Sequence, residues 1–90
     1  LSACGPSERS VQGYRDRRAL ARASASAANG LAEICATAFT PSVRESCFEK
    51  WKVDVAESDK AQRELETYCA AHQEACRVGA ELDAAVREQP

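Results

Sequence analysis

The sequence has no methionine, one histidine, one tryptophan and three prolines in 90 residues. Aromatic residues make up only 6%, so any core must be built mainly from Ala, Leu, Val and Cys. No apolar run approaches the length of about 20 residues that a membrane-spanning helix needs. No segment alternates apolar and polar residues as a half-buried strand would, which argues against a sheet. Positive charge is not in excess: 12 Lys and Arg stand against 14 Asp and Glu, a net of −2. That balance excludes a general nucleic-acid binder, which depends on a surplus of cations. Glycine motifs that cradle phosphates are missing. The hydrophobic fraction of 44% excludes full disorder, and the length allows one small domain.

Cysteine is present in excess, with five residues. That usage points to an oxidising compartment. Helix-forming residues dominate, and apolar residues recur at helical spacing. The predicted fold class is all-α: a small three- to four-helix bundle, or helical hairpin, stapled by two disulfides.

The chain divides into three parts. Residues 1–6 are a short tether, 7–30 an Arg/Ala-rich helix, and 31–90 a disulfide-stapled helical domain. Residues 5–30 carry five arginines against Glu8 and Asp16, a net of +3, whereas 31–90 carry a net of −5. The asymmetry suggests that the first segment lies on an acidic surface, whether its own body, a partner or anionic lipid. Ser7 is a good N-cap. The Ala/Ser run from Ala19 to Ala28 offers a thin, smooth face that another helix can approach closely. Asn29-Gly30 reads as a helix stop. Leu31 to Phe39 reads as a short helix ended by Thr40-Pro41. Ser42 and Glu45 form a capping box for the next helix. Glu57-Ser58-Asp59 interrupts the apolar stripe, and Asp59 with Gln62 reads as the start of another helix.

The first residues, Leu1-Ser2-Ala3-Cys4 followed by Gly5, resemble a bacterial lipobox. The resemblance implies that Leu1 to Ala3 are the tail of a signal peptide and that the Cys4 thiol carries lipid. It implies a periplasmic protein held at the outer membrane. Setting Cys4 aside leaves four cysteines, an even number that closes two disulfides in one of three pairings.

A hairpin with its turn at Ser58 brings Cys47 opposite Cys69 and Trp51 opposite Leu65. Cys35 then reaches Cys76 in a nested pair. The rival is sequential pairing, Cys35 with Cys47 around Pro41 and Cys69 with Cys76. On a straight helix, seven residues span about 10.5 Å, which is beyond disulfide reach. The nested pairing is the favoured reading, and the sequential one stays open. Nested staples resemble the coiled-coil–helix–coiled-coil–helix proteins of the mitochondrial intermembrane space, many of them structural subunits or assembly factors of respiratory complexes.

Catalytic chemistry finds no support. Cys69, His72 and Cys76 share a helix face, but ligands spread over two turns do not converge on a tetrahedral zinc. His72 reads as a partly buried seam residue. Carboxylates such as Glu64, Glu66, Glu81 and Asp83 lie on solvated faces, so general acid–base work lacks a pocket. No metal, cofactor or small-molecule substrate is expected. The expected work is binding an envelope protein, with membrane attachment through Cys4. The candidate contact surface comprises the Ala/Ser face with Tyr14, Arg15, Arg18, Arg22 and Phe39. The alternative is a mitochondrial intermembrane-space subunit or assembly factor.

Overall fold

The computed structural model describes residues 5–87. The Leu1–Cys4 motif lies outside the described residues. Among the described residues there are three helices and no strand: α1 (Glu8–Ala36), α2 (Pro41–Ala71) and α3 (Gln73–Arg87). The protein is a disulfide-stapled helical hairpin with a third helix laid back on it.

α1 begins where the sequence indicates. The Ser7 hydroxyl accepts from the Ser10 amide at 3.1 Å, and Glu8 sits in the first turn. There the carboxylate meets the positive end of the helix dipole. The expected stop at Asn29-Gly30 does not occur, and α1 runs on to Ala36. Gly30 is not in the left-handed region that terminates helices. A helical glycine costs only about 1 kcal/mol, and packing of Ala28 and Cys35 on either side outweighs it.

The start of α2 also differs from expectation. Thr40, not Ser42, is the N-cap, accepting from the Val43 amide at 3.3 Å. Pro41 takes the first helical position, where the missing amide hydrogen is no loss. Thr40-Pro41 is therefore a start signal and not the expected stop after Phe39, since α1 has already ended at Ala36 with Thr37 as its C-cap.

α1 and α2 pack antiparallel through a seam of small residues. The buried or half-buried positions of α1 include Ser10, Tyr14, Arg17, Ala21, Ser24, Ala28, Leu31 and Cys35. Those of α2 include Cys47, Trp51, Asp54, Ser58, Ala61, Leu65 and Tyr68. Both sets step by alternating fours and threes, the spacing of a coiled coil. Cys35–Cys47 fixes one end of the register. At the other, the Tyr68 hydroxyl donates to the Ser10 carbonyl at 2.7 Å. Gly13 gives that phenol room, since a Cβ there would come within 2.8 Å of Tyr68 Cζ. The Ala/Ser face expected to admit another helix thus meets its partner within the chain. Ser58, expected at a turn, is a seam residue in the middle of α2, and Glu57 and Asp59 flank it on the exposed side. Trp51 and Leu65 therefore share one side of a single helix instead of facing each other.

This continuity overturns the nested disulfides. Cys47 and Cys69 lie on one unbroken helix, about 33 Å apart along its axis. The bonds are Cys35–Cys47, with Cα atoms 5.4 Å apart, and Cys69–Cys76, at 5.7 Å. The second becomes possible because the backbone breaks at His72, where φ is −134° and ψ is 56°. His72 is exposed rather than in the seam. Its ring stacks on Tyr68 at 4.1 Å, and Nδ1 lies 3.0 Å from the Tyr68 carbonyl, a bond that a ring N–H donates. The histidine thereby caps the end of α2. With the nested staples gone, the resemblance to intermembrane-space hairpins loses its basis.

α3 folds back across the first half of α1. Gly79 is buried against Tyr14, which is only 8% exposed. Tyr14 therefore leaves the expected contact surface and becomes the knob that seats α3. The whole is elongated, 64 × 33 × 14 Å, with a radius of gyration of 17.7 Å. A compact chain of this length has about 12 Å.

Two outcomes follow. Non-reducing peptide mapping is expected to join Cys35 to Cys47 and Cys69 to Cys76, and reduction to cost about 2–3 kcal/mol per bridge. Gly79→Ala and Gly30→Ala should have opposite signs in thermal melts. A Cβ at Gly79 would fall within 2.7 Å of Tyr14 Cε2, for a loss of about 1–3 kcal/mol. At Gly30 a Cβ meets nothing within 4 Å, so alanine there gains about 0.5–1 kcal/mol.

Candidate functional site

The residues singled out from the sequence separate into two places. Phe39 stands at the hairpin tip, 98% exposed. The tip is firmly built. Cys35, fully buried, is bonded to Cys47, and Arg44 Nη2 donates to the Ala38 carbonyl at 3.0 Å across the turn. Ile34 and Val43, on the two helices that meet there, are also exposed. Phe48, two turns into α2, turns its ring against Trp51 in an edge-on pair, with centroids 6.2 Å apart.

Arg15, Arg18 and Arg22 come together far from that tip. They follow each other along α1 and, with Ala19, form one wall of an open cleft of about 330 Å³. Asp83, Val86 and Arg87 of α3 form the other wall. Asp83 is held by Arg18, and Arg15 approaches it at 3.5 Å. Part of the acidic surface expected beneath the Arg-rich segment is thus the chain's own third helix. Arg17 points elsewhere. Its guanidinium lies 4.1 Å from the centre of the Tyr68 ring and donates to the Gly13 carbonyl at 3.0 Å. That cation–π contact ties the α1–α2 seam together near its open end.

Asp83 was not a candidate in the sequence. The signal that identifies it is spacing: it stands four residues after Gly79, on the face of α3 that turns toward α1. An acid in that stripe requires a cation opposite.

Several other ionisable groups pair along their own helices, Lys50 with Asp54 and Lys52 with Glu49 among them. Among the described residues no charged side chain is buried. On the exposed outer face of α3, Arg77 bonds Glu74 and Glu81. The Glu74–Arg77 hydrogen bond holds the Glu74 carboxyl below its usual range. A depressed carboxyl stabilises the fold at neutral pH, and that contribution disappears as pH falls through its folded-state value. Cys69 and Cys76 are bonded to each other, so neither offers a thiolate to a metal near His72. Among the described residues no group of three His, Cys, Asp or Glu side chains is placed to hold a metal ion. No described helix is long and apolar enough to cross a membrane.

Asp83→Asn should loosen α3 by about 1 kcal/mol, because it leaves Arg15 and Arg18 facing one another without a counter-charge. The loss should shrink in high salt, where the arginines are screened; paired melts at low and high ionic strength measure it. Comparison with protein-family models, with curated proteins and with solved structures finds no match.

Proposed function

We propose that this chain is the body of a non-catalytic periplasmic lipoprotein, anchored at the outer membrane through lipid on Cys4. Its work is that of a protein-binding accessory factor at the bacterial envelope, of the pilotin, exclusion, immunity or inhibitor kind. The observation that carries the reading is Phe39, almost wholly exposed on a turn braced by a disulfide and a side-chain hydrogen bond. Burying such a ring is worth about 1.5–3 kcal/mol. Aromatic side chains held out on a rigid support are the usual anchors of protein interfaces.

The geometry of the anchor supports the same reading. Only Gly5, Pro6 and Ser7 separate Cys4 from the first residue of α1. Acylation of Cys4 therefore sets the start of α1 at the bilayer surface. The 29 residues of α1 then carry the tip about 43 Å along the helix axis. The lipid end and the Phe39 end lie at opposite ends of the hairpin. Two disulfides suit the oxidising periplasm.

Two measurements test the proposal. Intact mass of the protein from native membranes should show lipid on Cys4 and the loss of residues 1–3; a chain beginning at Leu1 without lipid overturns the anchoring. A photo-crosslinking residue at Phe39 should capture a discrete envelope protein, and Val43→Glu beside it should abolish the capture. Capture that is indifferent to Val43→Glu counts against the tip as the contact.

A further inference from the structure

The cleft between α1 and α3 has a charge pattern that its one acid does not balance. Arg15, Arg18, Arg22 and Arg87 line it with a single carboxylate, Asp83. Asp83 is engaged by Arg15 and Arg18. Among the described residues no carboxylate forms an ion pair with Arg22 or Arg87. Glu88 lies outside the described residues. Four like charges around one acid repel each other, and a further anion relieves that repulsion.

We infer that this cleft takes carboxylate side chains from an acidic helical segment of a protein partner. The inference rests on the protein-binding reading above and places a second contact well away from the tip. Three features of the cleft argue for it. Arg15, Arg18 and Arg22 form a straight row two turns long, about 10.5 Å from first to last. Acids three or four residues apart on a helix have the same pitch, so a partner acid that meets Arg22 continues the register that Asp83 sets with Arg15 and Arg18. Each wall also carries an apolar side chain between the cations, Ala19 on α1 and Val86 on α3, which suits a side-chain stem more than a free, fully hydrated ion. Finally, the cleft already holds one carboxylate borne on a helix, that of Asp83. The planar guanidinium groups favour carboxylate pairing. A partner helix extends along α1 beyond the end of α3 and repeats with Arg22 what Asp83 does with Arg18.

Arg22 and Arg87 are the positions for the test, since both are exposed and neither helps hold α3. The probe is a synthetic helical peptide of about 20 residues with glutamates aligned on one face, titrated into the complete disulfide-bonded chain. Side-chain Nε–Hε resonances of the arginines report the contact. The expected result is perturbation at Arg22 and Arg87, and a loss of about tenfold in affinity in the Arg22→Glu/Arg87→Glu double variant. Lys50→Glu/Lys52→Glu, on the distal part of α2, should bind like the parent chain. An unchanged melting midpoint shows that the variant still folds. Equal affinity in the double variant overturns the inference, as does equal binding of a peptide whose glutamates are scattered around the helix. Arg22-dependent binding to phosphatidylglycerol vesicles without peptide binding overturns it in favour of a lipid surface. The two contacts fail separately. If the Phe39 cross-link persists while peptide affinity ignores Arg22, the cleft is refuted and the tip stands. Arg22-dependent peptide binding without a Phe39 cross-link refutes the tip alone.

Discussion

Two long helices brought close where Ala and Ser side chains face each other in the middle of their seam set the terms for everything else in this molecule. Ala21, Ala28, Ser24, Ser58 and Ala61 let the backbones of α1 and α2 approach, but they bury little surface per residue. The fully enclosed hydrophobic set is correspondingly short: Tyr14, Ala21, Ala28, Cys35, Ala61 and Ala75. The described residues are also thin, 14 Å along the shortest axis. Stability has to come from elsewhere, and the covalent links sit where a thin hairpin is weakest. One closes the turn between α1 and α2, and the other closes the corner between α2 and α3. Both enclose short loops, so each removes a modest amount of chain entropy from the unfolded state. They also act geometrically: Cys35–Cys47 fixes the register of the α1–α2 seam, and Cys69–Cys76 fixes the corner from which α3 folds back.

The all-α class, the Ser7 cap, the number of disulfides though not their favoured pairing, and the close-approach role of the Ala/Ser run were legible in the sequence. The boundaries inside the hairpin were not. Asn29-Gly30 and Glu57-Ser58-Asp59 carry the composition of breaks, yet both lie within continuous helices. The repeating seam overrides them, and that seam was hidden because its members are chemically mixed. Arg17, Ser10 and Ser24 occupy it on α1, and Asp54 and Ser58 on α2. A search for apolar periodicity passes over such positions, although their spacing alternates cleanly between three and four. The true break, at His72, sits among good helix formers. Nothing local marks it except the flanking cysteines, whose bond needs a corner there.

The same ambiguity governed the candidate site. Tyr14 looked like an exposed aromatic because its neighbours are charged. Gly79, 65 residues later, supplies the hollow that buries it. The arginines were identified as a group, but their counter-charge was not, since Asp83 belongs to a helix whose position depends on the Cys69–Cys76 corner. Phe39 was picked out although its helix was drawn too long: α1 ends at Ala36, and Phe39 stands in the turn, 98% exposed.

These constraints also decide where binding chemistry is available. Much of the inward-facing apolar surface is consumed by the seam, and the exposed large apolar side chains include Phe39, Ile34 and Val43 at the tip and Val86 beside the α1–α3 cleft. α3 has 15 residues against 29 in α1, and therefore covers about half of that helix's length. Its last turn brings Val86 and Arg87 level with Arg22, where the row of cations outruns the acid that answers it. A longer α3 would extend the match and close the cleft; a shorter one would release Asp83 and leave the row wholly unbalanced. Along the described part of α3, Asp83 thus neutralises one part of the Arg-rich row, Arg15 and Arg18, and forms no ion pair with Arg22.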